Sequence, residues 1–103
     1  MKTRRELLEE FVAQDPEDAF SRYALALELE KEGNDREAVA QLQEVIARDP
    51  GYVAAYYHLG RLLAGIGMID EARSVYRQGL AAATAANDQR ARSEMQEALE
   101  TLD

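Results

Sequence analysis

The chain has no cysteine and no tryptophan. Without thiols there is no disulfide framework, no thiolate nucleophile and no cysteine-ligated zinc or iron–sulfur site. Histidine occurs once, as His58, so a zinc site built on nitrogen and sulfur ligands would lack its other members. Ser21, Ser74 and Ser93 stand in no nucleophile motif, and no glycine-rich phosphate loop or recognisably spaced carboxylate pair is present. We therefore expect no enzyme: no catalytic residue, no cofactor and no metal. No apolar run approaches the ~20 residues that a membrane helix needs. The start, Met1-Lys2-Thr3-Arg4-Arg5, is basic like a secretory leader, but Glu6, Glu9 and Glu10 interrupt any apolar segment after it. Export is not expected, and the cytoplasm is the expected location. Positive charge is also scarce, with 12 lysines and arginines against 20 acids and a net charge of −8. An acidic surface repels phosphate, so nucleic acid and anionic membrane are poor partners.

Proline and glycine, the strongest local breaks, are few and regularly placed. The two prolines lie in Asp15-Pro16 and Asp49-Pro50, 34 residues apart, and Gly33 and Gly67 are separated by the same 34. A shared interval of this length marks an internal repeat. Laying residues 15–48 over 49–82 also superposes Tyr23 on Tyr57, Leu25 on Leu59, Leu29 on Leu63, Glu37 on Glu71 and Ala38 on Ala72. Between the breaks Ala, Leu, Glu, Gln and Arg dominate and β-branched residues are sparse, a helical composition. Six helices are expected, at about 3–14, 17–32, 35–48, 52–66, 69–86 and 88–102. Asp15 is expected to cap the second helix with Pro16 in its first turn, and Asp49-Pro50 to repeat the device before the fourth. Asn34 or Asp35 would cap the third helix. Gly33 and Gly67 would end the second and fourth in a left-handed conformation, and Asn87-Asp88 marks the last break.

Apolar spacing tells which faces are covered. The second helix carries two stripes, Arg22, Leu25, Ala26, Leu29 and Phe20, Tyr23, Ala24, Leu27, as for a helix sandwiched between neighbours. The fourth keeps the first stripe as Tyr56, Leu59, Gly60, Leu63, while its second turns partly polar: Ala54, Tyr57, His58, Arg61. The first helix (Leu7, Leu8, Phe11, Val12) and the last (Ala91, Met95, Ala98, Leu99, Leu102) show one stripe each. Gly60 and Gly79 sit inside helices, at a cost of about 1 kcal/mol each against alanine. Close backbone approach at a helix crossing would offset it. Single-striped ends around double-striped middles describe a short stack with polar caps. The ten arginines against two lysines, with abundant alanine, hint at a GC-rich bacterial genome.

The arrangement resembles the tetratricopeptide repeat, or TPR, a 34-residue helix–turn–helix with the pattern W-x2-L-G-x2-Y, then A-x3-F, then P. The first repeat reads Arg22-x2-Leu25-Ala26-x2-Leu29, Ala38-x3-Leu42, Pro50; the second reads Tyr56-x2-Leu59-Gly60-x2-Leu63, Ala72-x3-Tyr76, Thr84. Arg22 replaces the family's aromatic and Thr84 its proline, so the fifth helix is expected to run past a normal repeat end. The resemblance implies an all-α, α-α superhelix of about six antiparallel helices. Its parts would be a half-repeat helix at 3–14, two full repeats at 17–50 and 51–84, and a capping helix at 88–102, all in one domain over 1–103.

The resemblance further implies a concave groove lined by the first helix of each repeat. Carried over position by position, the groove is Phe20, Tyr23, Leu27 and Glu30, then Ala54, Tyr57, His58 and Arg61, with Tyr52 at its rim. Some TPR proteins hold a partner's C-terminal carboxylate with a Lys/Asn/Arg clamp. The matching positions here read Tyr23, Leu27 and His58, so a receptor of that type is not expected. The expected function is a non-enzymatic protein–protein interaction module that holds a peptide or helix of a partner in this groove. The alternative is a self-associating scaffold, a homodimer formed through the N-terminal face of the first helix.

Overall fold

The computed structural model describes residues 1–102. The six helices are α1 (Arg4–Gln14), α2 (Ala19–Lys31), α3 (Asp35–Arg48), α4 (Val53–Gly65), α5 (Ile69–Ala85) and α6 (Gln89–Thr101). No strand occurs among the described residues, and no helix is long and apolar enough to cross a membrane. The architecture is an all-α helical repeat. Its residues group into two compact units, Met1–Asp49 with α1 to α3, and a second that begins at Pro50 with α4 to α6. In the first, α2 packs against both α1 and α3; in the second, α5 packs against α4 and α6, and α4 also meets α6.

The corners repeat to the level of backbone geometry. Asp15 has φ −141° and ψ 82° and donates its N–H to the Phe11 carbonyl; Asp49 has φ −138° and ψ 82° and donates to the Val45 carbonyl. Both partners are again 34 residues apart. These aspartates close the preceding helices rather than opening the next ones, contrary to the sequence expectation. Pro16 and Glu17 form a separate turn between the helices instead of the first turn of α2. The chain turns once, with Asp18 N–H donating to the Asp15 carbonyl, and α2 then starts from Asp18. The Asp18 carboxylate accepts from the Phe20 N–H and from the Ser21 hydroxyl. At the second corner α4 starts after Tyr52, with no side-chain cap bond. α3 starts after Asn34, also without one, whereas Thr3 and Glu6 form a reciprocal capping box at α1.

Three helices end in one motif. Gly33 and Gly67 have φ of 85° and 89°, and Asn87 takes the same role at 58°. In each case the following residue's N–H reaches back five positions: Asn34 to Leu29, Met68 to Leu63, Asp88 to Ala83. Asparagine tolerates the left-handed region better than most side chains, which is why Asn87-Asp88 can break the chain where glycine is missing. α5 accordingly runs to Ala85, past Thr84.

The core follows the first stripe of each central helix. Leu25, Ala26 and Leu29 of α2 are buried, as are Tyr56, Leu59, Gly60 and Leu63 of α4. Ala38, Leu42 and Val45 of α3, Ala72, Tyr76 and Ala83 of α5, and Met95 of α6 complete it. The second stripe of α2 is not covered as expected: Tyr23, Ala24 and Leu27 are half-buried and Phe20 is 65% exposed. On α1 only Leu8 is buried, while Leu7 and Phe11 face outward. Arg4 and Arg5 of α1 pair with Glu28 and Glu32 of α2, both at 3.3 Å.

At the repeat position where the family pattern has its aromatic, Arg22 Nη2 donates to the Pro16 carbonyl at 3.2 Å, and the Tyr56 hydroxyl donates to the Pro50 carbonyl at 2.6 Å. Arg22 also reaches Gln41 Oε1 on α3, at 3.1 Å. The helical glycines accommodate side chains rather than a bare backbone crossing. A Cβ on Gly60 would lie 2.7 Å from Tyr76 Cδ1, and one on Gly79 would lie 2.7 Å from Tyr56 Cβ, with Met95 also in the way.

Candidate functional site

α4 presents two unlike faces. Ala55, Tyr56, Leu59, Gly60, Leu62 and Leu63 turn into the core. Val53, Ala54, Tyr57, His58, Arg61 and Ala64, spaced by three and four residues, turn the other way and line clefts shared with α6. One cleft, of about 280 Å³, lies between Val53, Ala54, Tyr57 and His58 of α4 and Asp88, Arg90, Ala91 and Glu94 at the start of α6. A second, of about 850 Å³, adds Arg61, Ala64 and Tyr76 to the later residues of α6, from Glu94 to Leu102. Tyr57 and Glu94 border both, so the two form one trough along the helix pair. The early residues of both helices lie at one end and the late residues of both at the other, so α4 and α6 run in the same direction along it.

Tyr57 is the centre of the wall. Its ring meets His58 edge-on, with centroids 5.8 Å apart at 83°, and tilts against Tyr76 at 6.3 Å and 48°. Burial raises the Tyr76 phenol above its ordinary value, and neighbouring Tyr57 adds to the effect, so the hydroxyl stays neutral. Arg61 Nη2 lies 3.2 Å from His58 Nδ1. A guanidinium can only donate, so Nδ1 accepts and the neutral ring carries its proton on Nε2. On the facing helix Arg90 and Glu94 form an ion pair at 3.4 Å, one turn apart. The Asp88 carboxylate is held as the α6 cap by the Ala91 N–H.

Of the nine residues singled out from the sequence, the structure brings Ala54, Tyr57, His58 and Arg61 together on this trough. Tyr52 is half-buried and occupies the position before the first residue of α4. Phe20, Tyr23, Leu27 and Glu30 share one face of α2 in the other unit. Phe20 is exposed there and the other three are half-buried. Sequence reasoning missed the wall supplied by α6. In the sequence Ala91 and Ala98 stand out only as part of the last helix's apolar stripe and Glu94 is not singled out, yet all three line the trough. The available signal was the spacing Ala91, Glu94, Ala98, one helix face of small residues interrupted by an acid.

A family model described as tetratricopeptide repeat matches residues 29–99. The chain belongs to the tetratricopeptide repeat family. A TPR repeat-containing protein of Pseudomonas aeruginosa is 33% identical over 96 residues, which are 93% of this chain and 91% of the relative. The solution structure of a TPR domain protein from Salinibacter ruber has a TM-score of 0.82 and 42% identity, covering 86% of this chain and 90% of that one. The TPR fold also matches PcrH, solved in complex with the chaperone binding region of PopD, with a TM-score of 0.89 at 17% identity. That match covers 95% of this chain and 74% of that one.

Proposed function

We propose that the protein is a non-enzymatic interaction module that holds a peptide or helix of a partner protein in the trough between α4 and α6. The observation that carries this reading is the composition of the trough walls. One is aromatic and half-polar, through Tyr57, His58 and Arg61, and the other is small and charged, through Ala91, Glu94 and Ala98. Tyrosine gives large contact area with little entropy to lose, and charged rims fix register. PcrH, which shares the fold, holds a segment of another protein, and that supports an interaction role in general. The face of α2 that carries exposed Phe20 and half-buried Tyr23, Leu27 and Glu30 is a further contact surface on the first unit. A pull-down comparing the unaltered chain with Tyr57→Ala plus Arg61→Ala tests the reading. Loss of captured protein in the double variant is expected, and equal capture would remove the assignment.

A second reading, self-association, is favoured by one observation: Leu7 and Phe11 on α1 stay exposed, 42% and 50% respectively. Light scattering across concentrations decides it, since a monomer at every concentration excludes a homodimer through this face.

A further inference from the structure

We infer that the partner segment is cationic, and that a lysine or arginine of it sits at the wide end of the trough. This deepens the peptide-binding reading and rests on it. Three features of that end converge on a positive occupant. Glu94, Glu97 and Glu100 all line it, and among the described residues Glu97 and Glu100 have no ion-pair partner, while Glu94 has Arg90. α4 and α6 run in the same direction, so both place the negative ends of their dipoles at this end. Tyr57, half-buried on the wall, offers ring surface there, and a cation over such a face gains from the aromatic quadrupole. The opposing charges near this end are already engaged: Arg61 donates to His58, and Arg73 pairs with Asp70 while reaching the Leu102 carbonyl. An anionic segment would meet the carboxylates and both helix ends unfavourably, and a neutral one would leave them without partners.

The experiment uses the intact chain and three sets of synthetic peptides matched in length and apolar content. One bears lysine and arginine, one is uncharged and one bears aspartate and glutamate. Affinities are read by fluorescence anisotropy at two salt concentrations. The cationic set should bind tightest, and Glu97→Gln plus Glu100→Gln should weaken it roughly fivefold or more and flatten its salt dependence. A control with the same loss of charge away from the trough, Glu9→Gln plus Glu71→Gln, should change cationic binding by less than the paired trough variant. Tyr57→Ala should weaken whichever set binds. If the uncharged or anionic set binds best, or if the two double variants behave alike, the cationic inference is overturned. The trough reading survives that outcome provided Tyr57→Ala still weakens binding. If no set binds and Tyr57→Ala changes nothing, both fall.

Discussion

The two repeats solve the same corner with different atoms. In the first, the guanidinium of Arg22 reaches the Pro16 carbonyl; in the second, the hydroxyl of Tyr56 reaches the Pro50 carbonyl. Donors and acceptors are each 34 residues apart. The core beneath is also exchanged. Ala26 and Leu42 in the first repeat correspond to Gly60 and Tyr76 in the second, and Val45 corresponds to Gly79. A larger ring on one helix is met by a missing methyl on its neighbour, since a Cβ on Gly60 would collide with Tyr76. Interiors are packed to crystal-like density, so such swaps are tolerated only when volume is kept. The repeat therefore specifies positions, hydrogen-bond acceptors and total volume, and leaves side-chain identity free. Arg22 is the less complete solution, because its buried Nε has no hydrogen-bond partner.

That comparison can be broken at several points. The largest effect is expected where the repeats agree. Leu25 and Leu59 are 4% and 2% exposed, and truncating either to alanine should cost about 2–5 kcal/mol in urea or thermal unfolding. A loss in one repeat alone would show that the two are not equivalent. Next is the exchanged pair. Gly60→Ala should destabilise by about 1–3 kcal/mol through the clash with Tyr76, although helix propensity alone would favour it by about 1 kcal/mol. Adding Tyr76→Leu recreates the first repeat's pairing and should recover part of the loss, and a double-mutant cycle without favourable coupling would refute the compensation. Smaller still, Tyr56→Phe should cost about 1 kcal/mol by orphaning the Pro50 carbonyl. Arg22→Met should cost less than that, because it removes the unpaired Nε together with the bond.

The smallest effect is in acid. Glu6 is held below its ordinary value of 4.5 by the Thr3 N–H and hydroxyl, Asp18 below 3.8 by Ser21, and Glu44 below 4.5 by Arg48. Carboxylates with lowered values stabilise the fold above their unfolded values, and that stability is lost as the pH falls through the folded ones. Melting temperature should thus be flat near neutrality and decline below about pH 4.5. Replacing Glu6, Asp18 and Glu44 by their amides should flatten that decline.

The architecture was legible because punctuation is sparse and periodic. Pro16, Pro50, Gly33 and Gly67 mark four of the five breaks, and every helix boundary falls within two residues of expectation. Asp15 misled because aspartate before proline reads as a helix cap, whereas Asp18 three residues on competes for the same role and takes it, accepting from the Phe20 N–H and the Ser21 hydroxyl. The exposure of Phe20 was hidden in its pattern, since apolar spacing shows that a face is distinctive without showing what covers it. Half of the trough was legible on α4. The other half was not, because Asn87 sets the register of α6 outside the 34-residue interval, so no earlier repeat shows which of its residues turn inward.

Because each corner is anchored on a main-chain oxygen, mutation cannot delete the anchor, only change what reaches it. Selection for folding from a library randomised at position 56 should therefore recover chemically unrelated donors, among them histidine, glutamine and lysine, and discard aliphatics of equal size, whereas position 22 should be more permissive because Arg48 also donates to the Pro16 carbonyl. The joint would then be a socket that accepts many plugs, which lets neighbouring modules diverge in composition while still fitting one another's register.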